Sequence, residues 1–146
     1  MSMIGELRQI PSEQMDKLKD KRVIAAIMEG DGLCLGKDWN ALHFLLCGEG
    51  SSGESAVMGG RPIHGVDTGY GPPQYMTPDE VARYAGELAE TTDEQLRDAF
   101  DPAAMEADDV YSVPDEVEPL LALAGEFRTY YADAASKGNG MLFFLT

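Results

Sequence analysis

The sequence predicts an α/β fold in a single compact domain spanning residues 1–146, with a small mixed sheet that includes both terminal strands and is covered by several helices. Three observations lead there. Short apolar runs stand at the two ends, Met3 to Ile10 and Met141 to Leu145, each too short for a stable helix and suited to a strand. Between them lie segments with one-sided helical stripes and their own start signals. No repeat or low-complexity linker divides the chain, and 146 residues with 44% hydrophobic content suit one core.

The first strand ends at Pro11, and Gly5 within it marks a bulge or a close backbone approach. Ser12 offers a cap for helix from about Glu13, and Val23, Ile24, Ile27 and Met28 carry an apolar stripe to Gly30, as one helix or two. Leu33 to Leu35 reads as a short apolar link. The segment Lys37 to Gly48 is then the most apolar long run, and the rest of the chain is organised around it. Asp38 is placed to cap its helix and Gly48 to end it in a left-handed conformation. Ala41, Leu42, Phe44, Leu45 and Leu46 cover most of its circumference, so protein should surround it on nearly all sides.

From Gly48 to Gly71 the chain holds eight of its sixteen glycines, the densest region for unusual backbone geometry. A helical turn at Ser55 to Met58 and a second strand or an extended segment at Arg61 to Val66 are expected inside it, and Pro72-Pro73 keeps the chain extended up to Thr77. Thr77-Pro78-Asp79-Glu80 combines a Thr cap, a proline in the first turn and a capping-box Glu. Thr92-Asp93-Glu94-Gln95 repeats that logic, and Asp101-Pro102 opens a further turn to Met105. Val110 to Val113 reads as extended because Pro114 disfavours helix before it. A last helix from about Asp115 to Lys137 buries Val117, Leu120, Leu121, Ala124, Phe127 or Arg128, Tyr131 and Ala134. Asn139-Gly140 then turns the chain into the closing strand, which is placed beside the first.

The formal charge is −15 and uneven: residues 79–133 hold sixteen acids against Arg83, Arg97 and Arg128, an excess of thirteen. Phosphate backbones would be repelled, so nucleic acid is not an expected partner. A basic protein is the partner class that such a surface suits, and a solvated charged surface is the plainer explanation. No apolar run is long enough to span a membrane and no leader pattern opens the chain, so membrane insertion is not expected and the cytoplasm is the expected location. Cys34 and Cys47 do not make a disulfide scaffold or a Cys-x-x-Cys site and are read as reduced, largely buried thiols.

Three clusters are chemically suggestive. Gly48-Glu49-Gly50-Ser51-Ser52-Gly53 has the letters of a dinucleotide fingerprint with Asp67 nineteen residues on, but a helix rather than a strand precedes it. Asn40, His43 and Cys47 share one stripe, where imidazole and thiolate could be paired for nucleophilic chemistry, although neighbours on one helix seldom converge and a core histidine is the plainer reading. Arg61, His64, Asp67 and Tyr70 are the candidate ligand-binding residues, set in the glycine-rich loop. One His and one Asp there lack a third ligand, so neither a metal nor another cofactor is expected.

Trp39 with Leu42-His43-Phe44-Leu45-Leu46 and Gly48, then Ala56-Val57-Met58-Gly59-Gly60, then Asp67-Thr68-Gly69-Tyr70-Gly71-Pro72-Pro73 before Met76-Thr77-Pro78, resembles the YfbM-like family of bacterial proteins. The opening and closing strands extend the likeness over nearly the whole chain. It implies a compact α/β domain, with Trp39, Leu42, His43 and Gly48 as family markers and no established functional residues. Cys47 stands where that family often has a hydroxyl residue such as Thr. Two functions are expected from these readings. The first is a non-catalytic partner-binding module, immunity-like or regulatory. The second is a small enzyme or ligand-binding domain using the loop 48–75 with His43, His64, Asp67 and Tyr70.

Overall fold

The structure is a computed structural model that describes residues 2–48, 50 and 53–146. In chain order its elements are β1 (Gly5–Ile10), a 3-10 helix (Ser12–Lys17), α1 (Lys21–Glu29), β2 (Leu33–Gly36), α2 (Trp39–Cys47), β3 (Arg61–Pro62), β4 (Gln74–Met76), α3 (Pro78–Glu90), α4 (Asp93–Ala99), α5 (Pro102–Ala107), α6 (Glu118–Ser136) and β5 (Gly140–Leu145). The strands form one sheet in the order β2-β1-β5-β4-β3. The two terminal strands are neighbours, matched residue for residue from Gly5 opposite Leu145 to Ile10 opposite Gly140.

β5 divides the interior. Its side chains alternate across the sheet, as the pleat requires. Met141 and Phe143 join the larger core with α2, α3 and α6. Leu142 and Phe144 join a smaller core with Ile10, Leu18, Ile24, Ile27 and Ile63, closed by α1 and the segment before it. Helices therefore cover both faces, which explains why β5 is almost continuously apolar.

Local signals placed several elements as expected. α3 and α4 each begin with a complete capping box, Thr77 with Glu80 and Thr92 with Gln95. α2 is wrapped from Trp39 to Leu45, and Gly48 ends it at φ 81° with its N–H on the Phe44 carbonyl. α6 buries Leu120, Ala124, Phe127, Tyr131 and Ala134. The bulge at Gly5 is present as a register shift against β2 between Gly5 and Glu6.

Other expectations are corrected. The sheet is not mixed: among the described residues all its pairings are antiparallel. The cause is that α3 leaves and α6 returns at the same end of the sheet, where Met76 faces Met141, so β5 must run against β4. Leu33 to Leu35 is no link but part of edge strand β2, whose alternation buries Leu35 and leaves Cys34 exposed. Asp38 makes no side-chain cap bond; partial burial instead pushes its carboxyl above the ordinary range. The first helical region splits in two because Asp20 caps a new helix through the Arg22 N–H. Only Arg61–Pro62 of the expected 61–66 segment is strand, residues 56–58 form a turn, and the last helix starts at Glu118 rather than about Asp115. The fingerprint letters follow helix α2, and of their residues Glu49, Ser51 and Ser52 lie outside the described residues.

Candidate functional site

The marker residues of α2 serve the core. Trp39 is 6% exposed, donates its indole N–H to the Met3 carbonyl at 3.2 Å and stacks on Tyr111 with ring centroids 5.9 Å apart. Leu42 and His43 are fully buried. Asn40 lies on the same helix as His43 and Cys47 but bonds to other partners. Its amide N–H donates to the Gly50 carbonyl, and its oxygen accepts the Tyr111 N–H at 2.7 Å, so one side chain clips both the glycine-rich loop and the segment after α5 onto α2.

His43 and Cys47 do converge, against the expectation for neighbours on one helix. Cys47 Sγ lies 3.3 Å from His43 Nε2, and His43 Nδ1 lies 2.7 Å from Ser55 Oγ. Ser55 is buried, and its hydroxyl oxygen also accepts the Val57 N–H at 3.0 Å, holding the turn that follows. The three side chains thus form a row of thiol, imidazole and hydroxyl. In chemical terms it places a base beside a nucleophile; in packing terms it ties α2 to the loop below it. The Ser55 partner was invisible in the sequence because it comes from the far side of a glycine-rich loop.

Among the described residues no hydrogen bond or ion pair joins the four loop candidates to one another. Arg61 reaches out of the loop to Glu80 on α3, 2.7 Å away, and lies over the Tyr75 ring. That contact raises the Arg61 pKa, and Glu80 is held net below its ordinary range: burial pushes it up, but Arg61 and the Thr77 N–H and hydroxyl outweigh that. Asp67 accepts the N–H groups of Gly69 and Gly71 and so shapes its own turn. Tyr70 is half-buried in the same turn and His64 is exposed. His43 is in the core on the side of α2, whereas His64 belongs with Ile63 on the other side of the sheet. Among the described residues no group of three or more His, Cys, Asp or Glu could hold a metal, and no helix is long and apolar enough to cross a membrane.

Two concavities border the loop. A cleft of about 560 Å³ opens between residues 54–56 and the facing sides of α3 and α4, with Glu54, Glu87 and Glu90 on its walls. Tyr84 lines it, its hydroxyl pushed above the ordinary range by burial, with Glu54 and Glu87 adding to the effect and Arg83 opposing it. Gly59 is what admits that hydroxyl: a Cβ there would stand 2.5 Å from it. A second groove of about 550 Å³ lies on the opposite face, between the 3-10 helix and residues 62–66, with Lys19, Lys21 and His64 at its edge. The second groove takes in one sequence candidate, His64, while the opposite walls of both concavities were not legible, since each joins segments far apart in sequence.

The comparisons agree with this fold. A crystal structure of a protein of unknown function, YfbM from Escherichia coli, superposes with a TM-score of 0.74 at 22% identity, covering 99% of this chain and 100% of that one. That likeness is one of fold. No curated protein matches the sequence. The sequence profile of one family matches residues 1–144, and the chain therefore belongs to the family described as a domain of unknown function, DUF1877.

Proposed function

We propose that this protein is a non-catalytic partner-binding module, immunity-like or regulatory, whose partner presents a basic surface. The cleft between α3 and α4 carries the reading. Glu54, Glu87 and Glu90 are all exposed on its walls, and none has an ion pair among the described residues. Around it, among the described residues, the exposed acids of α3 to α6 are neutralised only by Arg97 with Glu118, Arg128 with Asp93 and Lys137 with Asp133. A partner's Lys or Arg side chain entering the cleft would meet three carboxylates, two of them on α3, against one resident cation, Arg83. Such charges chiefly speed encounter and are screened over roughly 10 Å at 0.1 M salt.

The test is capture of partners from the native host, followed by association kinetics at low and moderate salt. A basic partner should bind more slowly as salt rises. Glu87→Gln with Glu90→Gln should lower the on-rate more than it raises the off-rate. Recovery of acidic partners only, or an on-rate indifferent to salt, would remove the proposal.

A second reading is a small enzyme or ligand-binding domain built on the loop 48–75. His43 and His64 lie on opposite sides of the sheet, and the observation that favours this reading is the groove beside His64, a preformed concavity within the usual ligand-site range of about 300–1,000 Å³.

A further inference from the structure

We infer that the groove beside His64 binds a small amphipathic carboxylate: an apolar chain or ring carrying one acid group. The inference rests on the ligand-binding form of the second reading and gives it a ligand class. The floor comes from the smaller core. Leu18 and Ile63 are buried there, and Met15, Val66 and Tyr75 pack against it while still lining the opening. An apolar body is what such walls can desolvate favourably.

The edge supplies the charge. Lys19 and Lys21 line the groove, both at its solvent edge, and neither has an ion pair among the described residues. That is notable in a chain with 26 acids and 11 Lys or Arg. Lys21 leans from the start of α1 across to the loop, its Nζ 3.9 Å from where a Cβ on Gly65 would stand. Asp16 also lines the groove, so two cations face one acid and the surplus is a single positive charge. One charge matches a carboxylate better than a phosphate dianion. The aliphatic stems of the two lysines can cover the ligand's apolar body while their ammonium groups meet its acid. His64 adds a ring N–H on the loop side.

The experiment is an NMR titration of the intact ¹⁵N-labelled protein with octanoate, and separately with octan-1-ol of the same chain length. Amides at residues 15–21, 63–66 and 75 should shift with octanoate, which should bind about tenfold more tightly than the alcohol. Lys19→Gln with Lys21→Gln should bring the two affinities together without lowering Tm. Equal affinity of acid and alcohol for the groove in the parent protein would overturn the carboxylate class while leaving a ligand-binding groove. No shift from either compound would overturn the class and the ligand-binding reading together. Shifts of the same amides with protein concentration alone, without added ligand, would show that a second copy of the chain covers the groove, and would likewise overturn the inference.

Discussion

Gly5 lies so close to Trp39 that a Cβ on it would stand 2.6 Å from the Trp39 Cβ and 2.9 Å from its Cγ. The first residue of β1 and the first residue of α2 thus fix each other, and the indole then reaches Met3, Tyr111 and Phe143. Gly5→Ala should cost about 1–3 kcal/mol through overpacking. Trp39→Ala should cost about 3–5 kcal/mol, a large share of a domain's stability. Since the alanine in Trp39→Ala keeps the Cβ, the nearest atom, Gly5→Ala should become only partly cheaper in that background, which urea unfolding of the double mutant measures. Strict additivity would place the constraint on Gly5 elsewhere.

The elements that could be read from the sequence are those whose cause is local. Thr77 and Glu80 are three residues apart and make their capping box within that span. The same holds for Gly48, whose left-handed turn closes α2 on Phe44. β2 escaped notice because four residues at a sheet edge show one buried side chain, Leu35, and no alternation long enough to see. Asp38 had the right chemistry for a cap, but its backbone at ψ 6° is not the extended conformation that aims such a side chain at the first turn. The site features are less legible still. Ser55 meets His43 across a loop of glycines, and Lys21 meets Gly65 only because β1 and β5 bring the two halves of the chain together.

Tyr131 should make the protein sensitive to alkali. It is fully buried on α6, and its hydroxyl donates to the Ala56 carbonyl with Met76 Sδ 3.3 Å away. Burial pushes its pKa well above the ordinary 10.0. In the unfolded chain the phenol ionises near that ordinary value, so above it the unfolded state binds fewer protons and stability falls as pH rises. The stabilising contribution is complete below about pH 10 and is lost toward the folded-state pKa, at about 1.4 kcal/mol per pH unit for one proton. Tyr131→Phe should cost about 1–3 kcal/mol at neutral pH by leaving the Ala56 carbonyl unpaired. It should also reduce the alkaline slope by one proton. An unchanged slope would mean that Tyr131 is not the group responsible.

Arg61 tests whether a loop cation serves ligand or fold. Its guanidinium meets Glu80, which also accepts the Thr77 N–H, so the loop is tied to the cap of α3. Arg61 is about half exposed, so solvent screening keeps the contribution of the pair small. Because the folded-state pKa of Glu80 is depressed, this stability is present above its ordinary 4.5 and disappears as pH falls through the lower folded value. Arg61→Gln should therefore lower Tm slightly at pH 7 and not at strongly acidic pH. Thr77→Ala should cost about 1 kcal/mol at pH 7 and less in strong acid, since the Glu80 N–H loses its hydroxyl acceptor at either pH while the bond from that hydroxyl to the Glu80 carboxylate counts only when the carboxylate is charged. A loss of stability from Arg61→Gln that persisted in acid would show that the arginine acts through packing.

The row of Cys47, His43 and Ser55 has a direction that can be measured. Ser55 Oγ accepts the Val57 N–H through one lone pair, and we predict that its own proton is given to His43 Nδ1, 2.7 Å away. Nδ1 is then an acceptor and the ring hydrogen sits on Nε2, facing Cys47 Sγ at 3.3 Å. A neutral imidazole in that tautomer cannot take the thiol proton, and the row acts as a tie between α2 and the loop. Ring ¹⁵N shifts of His43 should show a protonated Nε2 and an unprotonated Nδ1. Ser55→Ala should cost about 1–3 kcal/mol, because it removes the Val57 N–H acceptor and the Nδ1 donor together. Alkylation should reach exposed Cys34 before half-buried Cys47. The opposite tautomer, together with preferential alkylation of Cys47, would instead give the row the arrangement of an activated nucleophile and turn the functional reading toward thiol chemistry.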